Sequence, residues 1–329
     1  MTFNVIECAA QGRSHIKTNT PCQDKTSSLR HNDISVIALA DGAGSAKFSH
    51  FGADIVTKCV CKIFVEKFDI ILNDINTAKK GILATLLKEL HSESLRLNCE
   101  IKDLASTLLC VAVRGDTFIT FHLGDGIICA LCNNAVKMIS DAQNAEFANA
   151  TFFTTSSSAV QNTEIIVGEM NNINAFAIMS DGVAPSFYDK SKGQFAKALL
   201  GVLQKSVMIS QEKMQERLQQ SLDSVISKMT IDDCSLAILA RSDEFVGYQN
   251  LTGEQKKWLF KMEDSSVNYK KIKLFDKIIM NLNEPKEFDE LLPNLPTKAK
   301  YLEKHLAKLC ELGIIDFDGK YYKAQVRIE

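Results

Sequence analysis

Four aspartates stand where apolar runs begin or end. Asp41-Gly42 follows SVIALA (Ser35–Ala40), Asp181-Gly182 follows AFAIMS (Ala175–Ser180), Asp232-Asp233 precedes CSLAILA (Cys234–Ala240), and Asp24 closes TPCQD (Thr20–Asp24). A carboxylate beside a buried strand is costly unless something pairs with it. Carboxylates gathered without imidazole or thiolate partners select hard cations, here Mg2+ or Mn2+. Gly42 lacks the side chain that would hold its carbonyl away from such a ligand. Asp-Gly is also a turn dipeptide, and it occurs at Asp41, Asp125, Asp181 and Asp318. Asp318 lies between strand-like residues and reads as a turn, whereas Asp125 reads equally well as a turn or as a functional residue. Asp41 precedes AGSAKFSHFGA, a loop that leads into a helix. Singly, each aspartate is a cap or turn residue; as a set they point to one cation centre.

The elements that must position these acids come from periodicity. Ser35–Ala40, Ala175–Met179 and Ser235–Ala240 are short, nearly continuous apolar runs of the kind found in central strands. Leu108–Val113 and Thr117–His122 flank Arg-Gly-Asp as a hairpin, and Ile127–Leu131 is expected to continue that meander. Apolar residues at helical spacing mark helices over Gly52–Phe68, Ala78–Leu97, Gln194–Leu203 and Gln211–Met229. Paired helices and consecutive hairpins fit antiparallel sheets covered by helices, an α+β architecture, better than a βαβ alternation. No strand is followed by a G-x-G-x-x-G or Walker loop, which weakens a nucleotide-binding reading.

Length and composition set the frame. A chain of 329 residues suggests about two domains. With 38 Lys+Arg against 40 Asp+Glu, there is neither a global basic field for nucleic acid nor a strongly acidic tail. No apolar run approaches the roughly 20 residues that span a bilayer, and no secretory signal opens the chain. A cytoplasmic protein without a membrane partner is expected. The ten cysteines include Cys59, Cys61, Cys110, Cys129 and Cys132 inside apolar segments, where thiols behave as small hydrophobes. Cys129-Ala-Leu-Cys132 lacks the second pair or His-x-x-His that a zinc site requires.

In order along the chain, GRSH…PCQD, ALADGAGSAKFSHFGAD, STLLCVAV, HLGDG, IMSDGV and DDCSLAIL resemble the metal-dependent serine/threonine phosphatases of the protein phosphatase 2C type, in the bacterial branch with PCQD and DGAGS. The resemblance covers about residues 5–241 and places a catalytic domain at 1–242. It implies a four-layer αββα sandwich of two antiparallel sheets with a two-metal centre, Mn2+ or Mg2+, between them. Asp41 would bridge both ions, the Gly42 carbonyl would bind one, Asp181 and Asp232 would complete the second site, and Asp24 would act directly or through water. Asp125 matches the position of a weaker third ion. Phosphoprotein substrates and a cognate Ser/Thr kinase are implied as partners.

The chemistry explains such a set. Phosphomonoester hydrolysis can need up to about 10²¹-fold acceleration, roughly 29 kcal/mol. Two cations about 3.5–4 Å apart can hold a bridging water for direct in-line attack and neutralise the phosphoryl oxygens. No phosphoenzyme, and so no nucleophilic Cys or Ser, is then required. A general acid adds only about 10²–10⁴, or roughly 3–5 kcal/mol.

Three departures from the better-known pattern stand out. Ala43 occupies the place of the histidine that serves as proton donor, leaving His15, His50 and His122 as substitutes; His122, beside an apolar strand, reads first as structural. The phosphate-binding arginine is absent, so the anion contact falls to Arg13, His15 or Lys17. Gln23 replaces the acid before Asp24. The substrate-covering stretch, 141–155, also differs.

A linker at 243–252 and a small helical domain at 253–329 are expected to follow. Thr252-Gly-Glu-Gln255 offers a capping box, with helices over Glu254–Met262, Lys271–Asn281, Phe288–Leu292 and Lys298–Leu312, then a two-residue hairpin at Asp318-Gly319. This order suggests a winged helix. Residues 244–329 hold 15 Lys+Arg and 14 Asp+Glu, far from a nucleic-acid footprint, so protein interaction is preferred and nucleic acid is left to this segment alone. The competing expectations are an active phosphatase, a phosphatase-fold scaffold with weak or no activity, and a winged-helix regulator carrying a phosphatase-like sensor.

Overall fold

A computed structural model describes residues 2–141, 151–242, 248–262 and 266–326. The chain forms two compact units, Met1–Gln204 with Gln215–Asp243 and Lys205–Met214 with Glu244–Glu329. Residues 142–150, within the expected substrate-covering stretch, and 243–247, within the expected linker, lie outside the described residues.

The strands in chain order are β1 (Phe3–Ala10), β2 (Lys25–His31), β3 (Ile34–Ala40), β4 (Leu108–Arg114), β5 (Thr117–Leu123), β6 (Ile127–Cys132), β7 (Ala135–Ser140), β8 (Glu164–Glu169), β9 (Ile173–Met179), β10 (Tyr188–Asp189), β11 (Gln194–Phe195), β12 (Cys234–Arg241), β13 (Ile315–Phe317) and β14 (Tyr322–Ala324). Two antiparallel five-stranded sheets build the first unit, ordered β1-β12-β9-β6-β7 and β2-β3-β4-β5-β8. Their inner faces share one apolar core, with Ile37, Leu39, Leu109 and Val111 from one sheet and Val5, Phe176, Ile178 and Leu239 from the other. The opposite face of β3 and β4 presents Val36, Ala38, Cys110 and Ala112 to two helices, α2 (Ser49–Asn73) and α3 (Ile75–Leu97). Buried on both faces, the central strands read as unbroken apolar runs for that reason.

Outward residues of the first sheet, Ile6, Cys8, Ala177 and Ile238, are also buried, and Leu199, Leu203, Leu218, Leu222 and Ile226 are buried on the helical segments around them in sequence. Gln215 and Gln219 reach β1, and Gln219 Nε2 donates to the Ala9 carbonyl at 2.9 Å. No described helix is long and apolar enough to cross a membrane.

Several local expectations change. β6 does not continue the β4–β5 meander: it pairs with β7 and β9 in the other sheet, so HLGDG crosses between sheets. Gly124 makes the crossing at φ +124°, a left-handed conformation that disfavours side chains. Gln194 and Phe195 pair with Tyr188 and Asp189, with the two rings 4.8 Å apart, so the helix expected from Gln194 begins at Lys197. α2 runs from Ser49 to Asn73 with a kink at Lys67, and α3 starts behind Asp74, whose side chain accepts the Thr77 N–H at 3.0 Å. The edge strands β2, β7 and β8 carry exposed polar residues and lack the apolar runs of the centre. All ten cysteines are free, and Cys129 and Cys132 both lie on β6.

A buried link joins the sheets near the crossing. Ser140 Oγ, at the end of β7, donates to Glu164 Oε2 at 2.6 Å and so accepts from His122 Nδ1, also at 2.6 Å. The structural reading of His122 fits this placement.

The C-terminal unit has its own core. Leu302, Leu306, Leu309 and Leu312 of the Ala299–Leu312 helix are buried with Phe260, Phe275, Ile278 and Ile315. The Thr252–Gln255 box is present, with N–H donations of 2.8 and 3.3 Å. The helices Gly253–Leu259, Ser266–Met280 and Phe288–Leu291 precede the Ala299–Leu312 helix. Phe317 pairs with Tyr322, so the final hairpin has a four-residue loop, not the two-residue turn expected from Asp318-Gly319. Asp318 Oδ1 accepts the N–H groups of Lys320 and Tyr321 and stabilises the wider loop.

Candidate metal centre

The acids reach one end of the sandwich because four strand termini meet there. Asp41 leaves β3 locked to the approach of β4: its N–H donates to Thr107 Oγ1 at 2.9 Å, and its carbonyl accepts the Thr107 N–H at 2.8 Å. Gly42 then bridges Ser106. A Cβ at Gly42 would stand 2.8 Å from Ser49 Cβ and 3.0 Å from the Gln23 carbonyl, so only glycine fits this packing. Asp181 leaves β9 after Ser180, which exchanges hydrogen bonds with Ser235 at the start of β12. Asp24 enters β2 and accepts from Ser235 Oγ at 2.6 Å. Asp125 sits on the crossing between sheets and accepts from Thr151 Oγ1 at 2.6 Å.

Asp41, Asp125 and Asp181 each offer one carboxylate oxygen within 4.8 Å of the other two. Burial pushes the Asp41 carboxyl well above the usual carboxylate range, and the negative charges of Asp24, Asp181 and Asp232 push it further. Asp24 is held at about 7, mainly by burial and against the opposing Ser235 bond. Asp181 is raised by burial and then by Asp125. Asp24 Oδ1 and Asp181 Oδ1 are buried and have no hydrogen-bond partner among the described residues. Leaving buried carboxylates unpaired and mutually repelling is among the costliest arrangements in a protein interior, and a divalent cation removes the cost. An all-oxygen set with unsatisfied lone pairs fits Mg2+ or Mn2+ and not a thiophilic metal.

The structure thus brings Asp41, Asp125 and Asp181 together, with Asp24 and Asp232 near enough to act on Asp41 electrostatically. Asp232 is exposed, and its Oδ1 accepts the Asp233 N–H at 2.9 Å. The three anion candidates lie on one short helix, α1 (Arg13–Thr18). Arg13 Nε donates to the Thr230 carbonyl, Lys17 is exposed, and His15 Nδ1 lies 2.8 Å from Asp233 Oδ2. Ala43 is buried in a small apolar patch with Ala46 and Ala105, against which Phe153 packs.

Asp233 itself escaped the sequence reading. Only 1% exposed, it accepts the Gly12 N–H at 2.6 Å and the Gln23 N–H at 2.5 Å besides meeting His15. The doubled aspartate carried a signal, since neighbouring residues of an extended chain point to opposite sides and one of the two had to turn inward.

The family profile described as Protein phosphatase 2C matches residues 11–223. Serine/threonine-protein phosphatase 3 of Escherichia coli (strain K12) is 24% identical over 250 residues, 72% of this chain and 98% of that protein. Among solved structures, the serine/threonine phosphatase Stp1 from Staphylococcus aureus aligns with a TM-score of 0.53 at 13% identity, covering 73% of this chain and 96% of that one. The S. agalactiae serine/threonine phosphatase aligns at 0.54 and 13%, covering 73% and 99%. At these identities the structural likeness speaks for the fold alone.

Proposed function

The chain belongs to the protein phosphatase 2C family and is a metal-dependent serine/threonine phosphatase, and we propose that its ions sit between the two sheets on Asp41, Asp181 and Asp232. Asp41 would serve both positions, the Gly42 carbonyl would bind one of the ions, Asp24 would support them from the buried side, and Asp125 would hold a weaker third. Mn2+ or Mg2+ is the metal that this donor set favours. Bound ions neutralise phosphoryl oxygens and activate water for in-line attack.

The remaining work falls to side chains. Thr107 fixes the Asp41 backbone, Ser235 orients Asp24, and Thr151 orients Asp125. Arg13 and Lys17 lie on the helix that begins beside Asp233, and they supply positive charge for the phosphate. The observation that carries the reading is the meeting of Asp41, Asp125 and Asp181 within 4.8 Å, with buried lone pairs left open beside them. Titration calorimetry with Mn2+, paired with hydrolysis of a phosphoserine peptide and p-nitrophenyl phosphate, tests it. Binding and turnover are expected in the wild-type protein, both lost in Asp41→Asn. A scaffold would bind neither metal nor turn over substrate.

Phosphoproteins are the substrates the family implies, and we propose a Ser/Thr kinase as the opposing enzyme. Ten free thiols support a reducing, cytoplasmic setting. The C-terminal helices and hairpin, read as a winged helix, take a protein partner in this proposal, since their charges balance. Salt-dependent binding of a DNA duplex by the full chain, lost on neutralising Lys300 and Lys304, would instead assign nucleic acid.

A further inference from the structure

The apolar patch around Ala43 leaves the leaving group without the donor that the family pattern supplies there. A seryl or threonyl alkoxide is a poor leaving group, so expelling it unprotonated is expensive. Three histidines remain as sources of a proton, and their surroundings differ. His122 is fully buried, its Nδ1 is engaged with Ser140, and burial disfavours its charged form. His50 lies with its ring 4.3 Å from Phe51, and burial together with Lys25 lowers its pKa. Of the three, only His15 meets a carboxylate directly among the described residues, with Nδ1 2.8 Å from Asp233 Oδ2.

We propose that His15, held by Asp233, is the general acid that protonates the leaving seryl or threonyl oxygen. The proposal rests on the phosphatase reading and names a catalytic residue for it. Asp233 is placed to position the ring. It is 1% exposed, and its two oxygens are fixed by N–H groups from Gly12 and Gln23. The same anchors tie the ring to the centre, because Gln23 directly precedes Asp24 and Asp233 directly follows Asp232. Helix α1 is held against this turn by the Ser14 N–H, which donates to the Ile231 carbonyl at 3.0 Å. With Nδ1 bonded to Asp233 Oδ2, Nε2 is the ring nitrogen left for a ligand, on a side chain that is 15% exposed. An aspartate that fixes the imidazole and stabilises its doubly protonated form is the arrangement found behind catalytic histidines on unrelated folds.

The step balances. The bond from phosphorus to the seryl oxygen breaks with its electron pair staying on that oxygen, which takes the proton from His15 Nε2. The bond from phosphorus to the water oxygen forms, and the proton released by that water returns through solvent to His15. The products are a free hydroxyl side chain and inorganic phosphate. Asp233 takes no proton in the step and is a positioning residue.

His15→Asn is the decisive variant, because its amide can still donate to Asp233 while Nε2 is gone. With Mn2+, kcat on a phosphoserine peptide should fall by about 10²–10⁴. On p-nitrophenyl phosphate, whose leaving group needs no proton, the expected loss is under about threefold. Manganese affinity measured by calorimetry should be unchanged. Asp233→Asn should show the same leaving-group selectivity at smaller amplitude. In the metal-free wild type, long-range ¹H–¹⁵N spectra should show His15 protonated at Nδ1, and in Asp233→Asn the proton should redistribute between the nitrogens. Equal losses on the two substrates, or a raised KM with kcat intact, would make His15 an anion contact and overturn the proposal while the phosphatase reading stands. A wild-type protein that turns over neither substrate would overturn both.

Discussion

In the first unit Asp41-Gly42 ends a strand buried on both faces, its carboxylate among three others. In the C-terminal unit Asp318-Gly319 closes an exposed loop, with Asp318 Oδ1 taking two backbone N–H groups at 2.7 and 2.9 Å. The dipeptide is the same and the outcomes are opposite. Burial and like charges raise the Asp41 carboxyl well above its ordinary range, whereas the Tyr321 and Lys320 N–H groups lower that of Asp318. A turn aspartate is satisfied by its own neighbours; a site aspartate is left unsatisfied until a ligand arrives.

Replacing each acid should break the comparison most sharply. Asp41→Asn should cost at least about 10³-fold in Mn2+-dependent phosphatase activity, equivalent to roughly 4 kcal/mol of barrier, while raising the melting temperature of the metal-free protein by removing a repelled charge. A variant that keeps activity, or melts lower without metal, would count against the centre. Acidity should separate the regions next. For Asp24, raised from 3.8 to about 7, the favourable contribution to folding is complete below about pH 4 and is lost as pH rises through about 7. In EDTA, stability should therefore decline between these limits, and the thermal shift produced by Mn2+ should grow over the same window. A flat profile in scanning calorimetry would contradict this. Asp318 has the reverse sign, its contribution vanishing only as pH falls below the ordinary carboxylate range.

Gly42→Ala probes the backbone beside the acid. Its new methyl meets Ser49 and the Gln23 carbonyl, so a loss of about 1–3 kcal/mol is expected by chemical denaturation, with activity falling too. The smallest effect belongs to Asp318→Asn, whose turnover of p-nitrophenyl phosphate should match the wild type.

Much of this was legible beforehand, for identifiable reasons. β3, β9 and β12 are covered on both faces, so the sequence had to make them continuous apolar runs, and the acids at their ends stood out. β2 and β8 are edges with one wet face, and residues such as KTSSLRH carry no comparable signal. Asp125 was ambiguous because HLGDG looks like a hairpin until β6 is seen to join the other sheet, which carries Asp125 to Asp181. Asp232 and Asp233 are the same residue type side by side; only the approach of Gly12, Gln23 and His15 reveals which of them is enclosed.

The bond from Ser140 to Glu164, with His122 behind it, has an evolutionary corollary. It pins the exit and the return of the intervening segment to a single point, like the clasp of a necklace. Within that segment Thr151 is tied to Asp125 and Phe153 packs on the Ala43 patch, so an exchange that leaves the acids undisturbed has to keep these two contacts. Grafting the rest of the stretch from one homologue to another, with Thr151 and Phe153 retained, should transfer taste for a target while hydrolytic power stays with the recipient.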